Sequence, residues 1–102
     1  MKILILLSKQ DPDSLSLAEA LRRRGEEVSI VLMQDSVYLA LKDAEHSGIV
    51  GHAIEQGVRL HLLDEDVEKR GIRQKLMPGL ELASYDQLVD LLFNEDPRVI
   101  NL

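Results

Sequence analysis

Two kinds of hydrophobic pattern alternate along this chain, and they meet in its middle. Residues 28–33 are apolar except for Ser29, which is typical of a strand covered on both faces. A polar junction of Gln34, Asp35 and Ser36 follows. Apolar residues then recur at helical spacing, at Val37, Ala40, Leu41 and Ala44. The pattern predicts a strand, a tight polar turn and a helix, and either Asp35 or Ser36 could cap the first turn of that helix.

The same alternation predicts the rest of the fold. Apolar runs indicate strands at 3–7, 28–33 and 58–63, and alternating polarity indicates a half-exposed or edge strand at 80–83. Helices are expected at 14–24, from 36 onward, within 45–57, at 64–70 and from 85 onward. This order implies a small three-layer α/β domain, with a parallel sheet of four strands flanked by helices. A fifth strand stays open, and the tail 98–102 is unusually apolar for a free terminus.

The predicted helices have apolar stripes and recognisable ends. The expected buried positions are Leu17, Ala18 and Leu21 in the first helix, and Tyr85, Leu88, Val89 and Leu92 in the last. Gly25 and Gly71 follow helices in the position of a left-handed stop. Ser84 and Gln87 have the spacing of a capping box at the start of the last helix.

Composition narrows the possible functions. The chain of 102 residues has 45% hydrophobic residues, which fits a single folded domain over residues 1–102. Its net charge of −6 and its 3% of aromatic residues provide neither a basic footprint nor stacking platforms, so direct nucleic-acid binding is not expected. No apolar run approaches the roughly 20 residues of a membrane span, and no small-residue cleavage site follows the first strand. We therefore expect a cytoplasmic protein without membrane contact.

The sequence has no cysteine, and this is its sharpest chemical feature. Disulfides, thiolate metal sites and cysteine nucleophiles are excluded together. The three histidines, His46, His52 and His61, do not have a spacing that would gather them around a metal ion, so no metal site is expected. No Gly-x-Ser-x-Gly elbow marks a serine nucleophile. We expect no cofactor and no catalytic residue.

Polar residues follow the first three predicted strands. In a parallel sheet these positions share one edge, where functional groups gather. The candidates form a set that we call the strand-end rim: Ser8, Gln34, Asp35, Ser36 and Asp64. These residues could simply cap helices. If the rim has a function, recognition of a partner or of a small polar ligand fits it better than catalysis.

Three segments of the chain resemble a known family. They are the hinge 32–38, the acidic turn and helix 62–72 with the later Pro78 and Gly79, and the final segment 85–91. In this order and spacing the chain resembles the DsrH/TusB branch of the DsrE/DsrF/DsrH-like sulfur-relay family. Ser36 stands where that family usually has glycine.

The resemblance implies a small α/β domain with a parallel sheet that works as a subunit of a sulfur-relay complex. Its implied partners are cysteine-bearing homologous subunits of the DsrE/TusD and DsrF/TusC type, and a homo-oligomer stays open. The implied pathway is tRNA wobble-uridine 2-thiolation or sulfur oxidation. Some members carry a cysteine in the first helix, where this chain has the cysteine-free segment 17–21. The chain is therefore expected to be a non-catalytic subunit.

Two other functions remain open on the sequence alone. The strand-end rim could serve a small-ligand or nucleotide-binding α/β module, since polar junctions follow three strands. A self-assembling scaffold is the third possibility.

Overall fold

Strands and helices alternate along the chain in the structure, a computed structural model that describes residues 1–43 and 45–102. The strands are β1 (Lys2–Leu7), β2 (Glu27–Leu32), β3 (Arg59–Leu63), β4 (Glu81–Ala83) and β5 (Arg98–Asn101). The α-helices are α1 (Asp13–Arg23), α2 (Ser47–Glu55), α3 (Asp64–Arg70) and α4 (Tyr85–Asn94). Two 3₁₀ helices span Gln34–Ala40 and Arg73–Lys75. The helical position predicted at Ala44 lies outside the described residues.

The strands form one parallel sheet in the order β4-β3-β2-β1-β5. β1 and β2 lie in the middle, where Ile5 is paired with Ile30. The apolar tail is the fifth strand, and in it Ile100 pairs with Ile5 on the other side of β1. β4 lies at an edge, as its alternating polarity predicts. The predicted three-layer α/β class is therefore confirmed, and the strand count is five.

The two faces of the sheet carry cores of very different size. The larger core joins β1, β2 and β3 to α1, α2, α3 and the first 3₁₀ helix. The smaller core consists of Leu4, Val31, Leu63 and Leu88, with the half-buried Leu6, Met33 and Leu92 around it. In the described part of the chain, the helical residue buried in this smaller core is Leu88 of α4.

The predicted stripe of α1 is partly wrong. Leu17 is 40% exposed, whereas Leu15 and Ala18 are fully buried. The face of α1 that packs on the sheet contains Leu15, Ala18 and Glu19, which are three and four positions apart and so lie on one side of the helix. Glu19 is consequently buried and contacts the Nδ1 atom of His52 on α2.

The predicted buried stripe of α4 is also only partly correct. Leu88 is buried and Leu92 is half-buried, but Tyr85 and Val89 are 50% and 47% exposed. One helix on a sheet face can bury only a narrow arc of its surface. The apolar face of α4 is wider than that arc, so part of it stays in solvent.

The helix expected after β2 is a 3₁₀ helix instead. It has seven residues, which is long for this conformation. It ends at Ala40 because Leu41 turns extended and forms an antiparallel bridge with Leu76. The backbone N–H of Met77 donates to the Ala40 carbonyl at 3.0 Å, so the next segment of chain satisfies the helix end.

Other local predictions are confirmed. Gly71 has φ +63° in the left-handed region, which glycine adopts without the Cβ penalty, and it ends α3. Ser84 and Gln87 form the predicted capping box at the start of α4. Among the helices in the described ranges, none is long and apolar enough to cross a membrane.

Because Leu88 is buried and Val89 is exposed, replacing each with alanine should change the free energy of unfolding by different amounts. Leu88→Ala should lower the free energy of unfolding by about 2–3 kcal/mol, because it opens a cavity in the smaller core. Val89→Ala should change it by less than about 0.5 kcal/mol, because this side chain is half exposed. Urea unfolding of both variants checks the prediction. Equal losses would contradict the observed orientation of α4.

Candidate functional site

The predicted rim residues do lie at one edge of the sheet. Ser8 follows β1, residues 34–36 follow β2, and Asp64 begins α3 directly after β3. Because these three strands are parallel neighbours, their carboxyl ends meet at the same edge. The five residues differ in their contacts. Ser36 is buried beneath the edge, Gln34 and Asp35 bind α3, and Ser8 and Asp64 have other partners.

Ser36 supports the edge from inside. Its side chain is completely buried, and its Oγ atom lies 2.7 Å from the Leu7 carbonyl oxygen, to which it can donate. The same Oγ accepts from the backbone N–H of Met33 at 2.8 Å. Ser36 thereby ties the end of β1 to the end of β2. Its hydroxyl faces the interior of the protein, so it holds the rim in place without being exposed on it.

Gln34 is the strained residue of the edge. Its φ of +52° lies in the left-handed region, which a residue with a side chain rarely adopts. Its backbone N–H donates to Oδ2 of Asp66 on α3 at 2.7 Å. This charge-assisted hydrogen bond holds the turn, while the Gln34 side chain stays exposed. Strain of this kind clusters at functional sites.

Asp35 is paired with an arginine that the sequence reading did not select. Its Oδ1 atom accepts from Nη2 of Arg70 at 3.1 Å, and Nη1 of Arg70 lies 3.5 Å from Oδ1 of Asp66. The hydrogen bond that Arg70 donates to Asp35 raises the pKa of Arg70 above its usual range. The guanidinium also lies 5.8 Å from the centre of the Tyr38 ring. Of the two residues predicted to cap the helix after β2, Asp35 does not do so, because its carboxylate binds Arg70. Ser36 does, because its Oγ accepts from the N-cap N–H of Met33.

Asp64 and Ser8 lie at the edge but outside this network. Asp64 accepts a hydrogen bond from Nη2 of Arg73, which also binds Glu68 at 3.0 Å. The hydrogen bond that Arg73 donates to Glu68 is the largest cause of a raised pKa of Arg73, and the one to Asp64 is the second. Ser8 is half-buried, and its backbone N–H donates to the Leu102 carbonyl at 3.3 Å. The structure thus joins Gln34 and Asp35, and it adds Asp66 and Arg70 to them.

A spacing in the sequence could have indicated the added residues. Asp66 and Arg70 are four apart on a helix that begins at the same sheet edge, and oppositely charged residues at this spacing are neighbours. The contact of Arg70 with Asp35 spans 35 positions, and no local pattern predicts it.

The side chains at the rim are suited to binding a polar partner. Its exposed groups are an amide, carboxylates and guanidinium groups, which can form hydrogen bonds and ion pairs with a polar partner. Within residues 1–43 and 45–102, no group of three or more His, Asp or Glu side chains is placed to hold a metal ion. The rim thus presents a fixed polar surface.

A groove on the second sheet face contains a partly buried histidine. It has a volume of about 400 Å³ and lies between β3, β4 and α4, with His61, Leu82, Gln87 and Leu91 among its lining residues. The Nδ1 atom of His61 lies 3.3 Å from Oε2 of Glu81. Burial lowers the pKa of His61, and the nearby Glu81 carboxylate partly opposes this. His61 therefore favours the neutral form in the folded protein.

Fold and edge together define a class: small parallel α/β domains with polar strand ends at one edge of the sheet. The family model described as "DsrH like protein" matches residues 11–97. The chain belongs to this family and, as its sequence motifs predict, to the DsrH/TusB branch of the sulfur-relay proteins.

Two relatives agree with this assignment, and two solved structures share the fold. Protein TusB of Yersinia pestis (strain Pestoides F) is 32% identical over 88 residues, covering 86% of this chain and 90% of that protein. Protein TusB of Yersinia pseudotuberculosis (strain IP 31758) matches with the same identity and coverage. The ychN protein of E. coli has the same fold, with a TM-score of 0.84, 23% identity, and coverage of 100% of this chain and 99% of that one. MTH1491 of Methanobacterium thermoautotrophicum gives a TM-score of 0.80 at 18% identity, covering 99% and 98%.

The buried hydroxyl of Ser36 predicts a stability loss. Ser36→Ala should lower the free energy of unfolding by about 1–2 kcal/mol, because the Leu7 carbonyl and the Met33 N–H each lose the hydroxyl as a partner and keep only the hydrogen bond to each other. Ser16→Ala, on the exposed side of α1, is the matched control and should cost less than about 0.5 kcal/mol. Denaturant unfolding measures both changes. A neutral Ser36→Ala would show that the hydroxyl does not hold the two strand ends together.

His61 predicts a pH dependence of stability. Burial lowers the folded pKa of His61 below its usual value, so the unfolded chain binds a proton more readily. The contribution of His61 to stability is therefore present above about pH 6.5 and is lost as the pH falls below it. The Tm of the wild type should fall more steeply than that of His61→Gln between about pH 7.5 and pH 5.5. Parallel Tm curves would contradict the predicted protonation.

Proposed function

We propose that this chain is a non-catalytic subunit of a sulfur-relay complex, in which it holds and orients a partner that carries the sulfur. One observation carries the proposal: a member of a sulfur-relay family has no cysteine in its sequence. Persulfide transfer needs a thiolate that attacks the donor sulfur and then bears the transferred atom. No side chain of this chain can do so.

The partners in this proposal are cysteine-bearing homologous subunits of the DsrE/TusD and DsrF/TusC type. The complex serves tRNA wobble-uridine 2-thiolation or sulfur oxidation, and we place it in the cytoplasm. The strand-end rim supports a recognition role. Gln34 is fixed in a strained turn by Asp66, and Arg70 fixes the Asp35 carboxylate, so little conformational freedom would be lost when a partner binds.

A sulfur-labelling experiment tests the division of labour. The chain is co-expressed with the cysteine-bearing homologous subunits of its own host, and the purified complex is incubated with a cysteine desulfurase and cysteine. Intact-mass spectrometry should show an added sulfur atom on a partner subunit and none on this chain. The partner with its cysteine replaced by serine is the control and should stay unmodified.

The contrary outcomes are specific. A covalent sulfur adduct or turnover on the isolated chain would refute the non-catalytic role. Purification of the chain as a lone monomer in the presence of all the homologous subunits would refute the complex. A rise in Tm with nucleotides or flavins would instead favour the ligand-binding alternative, because a ligand that binds only the folded form stabilises it.

A further inference from the structure

The second face of the sheet is incompletely covered. Parallel sheets occur almost only with both faces buried. On the first face, three α-helices and a 3₁₀ helix contribute to the core. On the second face, the buried core contains Leu88 of α4 as its helical member in the described part of the chain. Within residues 1–43 and 45–102, the sheet of five strands therefore carries a single helix on this face.

Apolar side chains are exposed on this same face. Tyr85, Val89 and Phe93 are spaced by four on α4, so they lie along one side of the helix. Phe93 is 80% exposed. Val99 on β5 is 44% exposed, and it pairs with Leu4, whose side chain belongs to the core under α4. Paired residues of neighbouring strands point to the same face. We call Tyr85, Val89, Phe93 and Val99 the α4 patch.

The size of the α4 patch fits a protein interface. Phe93 and Tyr85 together expose on the order of 250 Å² of side chain, given the roughly 200 Å² that an aromatic residue can bury. With the two half-exposed valines the patch reaches roughly 400 Å², the range in which exposed patches on monomers are often functional. A standard interface buries about 800 Å² per partner, a little over half of it apolar. The patch therefore supplies most of the apolar area that one stable interface needs.

The charges beside the patch indicate what kind of chain covers it. Asp86 and Asp90 lie on the exposed side of α4, and Asp96 follows its end. Glu95, also beyond the helix, is paired with Lys2, whose Nζ lies 3.5 Å from Glu95 Oε1. The sequence has no lysine or arginine from residue 85 to residue 97, and the whole chain has a net charge of −6. A second copy on this face would bring like charges together, which costs affinity. A different chain with lysine or arginine around an apolar centre is complementary.

We propose that the α4 patch is the docking surface for a different protein subunit, one that presents an apolar face surrounded by basic residues. This inference rests on the proposed function, and it names the surface through which a relay partner binds. Phe93 is the central contact, because exposed aromatic residues dominate interface energies.

The test measures binding to the cysteine-bearing homologous subunits of the same host, purified as proteins. Phe93→Ala and Val89→Ala should each raise the Kd for the partner, Phe93→Ala by at least about tenfold. Ile49→Ala is the matched control, an apolar residue on α2 that is 38% exposed on the opposite side of the sheet, and it should change the Kd by less than about twofold. The Tm of each variant should stay close to that of the wild type, because the replaced side chains are exposed.

A charge-reversal variant tests the chemistry of the partner. Asp86→Lys combined with Asp90→Lys should lower the association rate, and the wild-type affinity should fall as salt concentration rises. An unchanged association rate would show that the partner is not basic and would overturn that part of the proposal.

The outcomes separate the two proposals. If the complex forms with the same Kd in wild type, Phe93→Ala and Val89→Ala, the docking surface is refuted and the proposed function stands. If the wild type binds none of these subunits, the proposed function fails as well. If the wild type alone forms a dimer that Phe93→Ala dissociates, the occupant is a second copy, and the heterologous partner is refuted.

Discussion

The hydrogen bonds at the end of the central strand pair hold the rest of the structure in position. β1 and β2 pair over six residues, and the Ser36 hydroxyl and the Met33 N–H both reach the Leu7 carbonyl where the pair ends. These hydrogen bonds fix the direction in which the chain leaves β2. This path directs Val37, Leu39 and Ala40 into the larger core, and it places Gln34 and Asp35 at the surface.

Helix α3 fixes the other half of the strand-end rim. Asp66 reaches the Gln34 N–H, and Arg70 reaches the Asp35 carboxylate, so a seven-residue helix after β3 clamps the turn after β2. The strained backbone at Gln34 is stable because charged groups on a neighbouring element hold it. A rigid polar edge is what recognition of a partner requires. A chain without cysteine can contribute to sulfur chemistry through such recognition and orientation.

The two faces of the sheet are covered to different extents, and this difference underlies the docking surface that we propose. The first face is closed by helices from the same chain, whereas the second presents α4 with Tyr85, Val89 and Phe93 still in solvent. Parallel sheets are usually covered on both sides, and this chain covers one side much more fully than the other. In the docking that we propose, a neighbouring subunit supplies the remaining cover.

The sequence by itself determined the α/β class, the positions of the helices and central strands, and the caps at Gly71 and Ser84, because apolar periodicity and capping are local properties of the chain. It also placed the rim residues at one sheet edge, since parallel strands align their ends. Only the tertiary structure decided that Leu17, Tyr85 and Val89 are exposed, because the buried arc of a helix depends on what packs against it. The same holds for the 3₁₀ helix after β2, whose end is set by the bridge of Leu41 with the distant Leu76, and for the ion pair of Asp35 with Arg70, whose partners lie 35 positions apart.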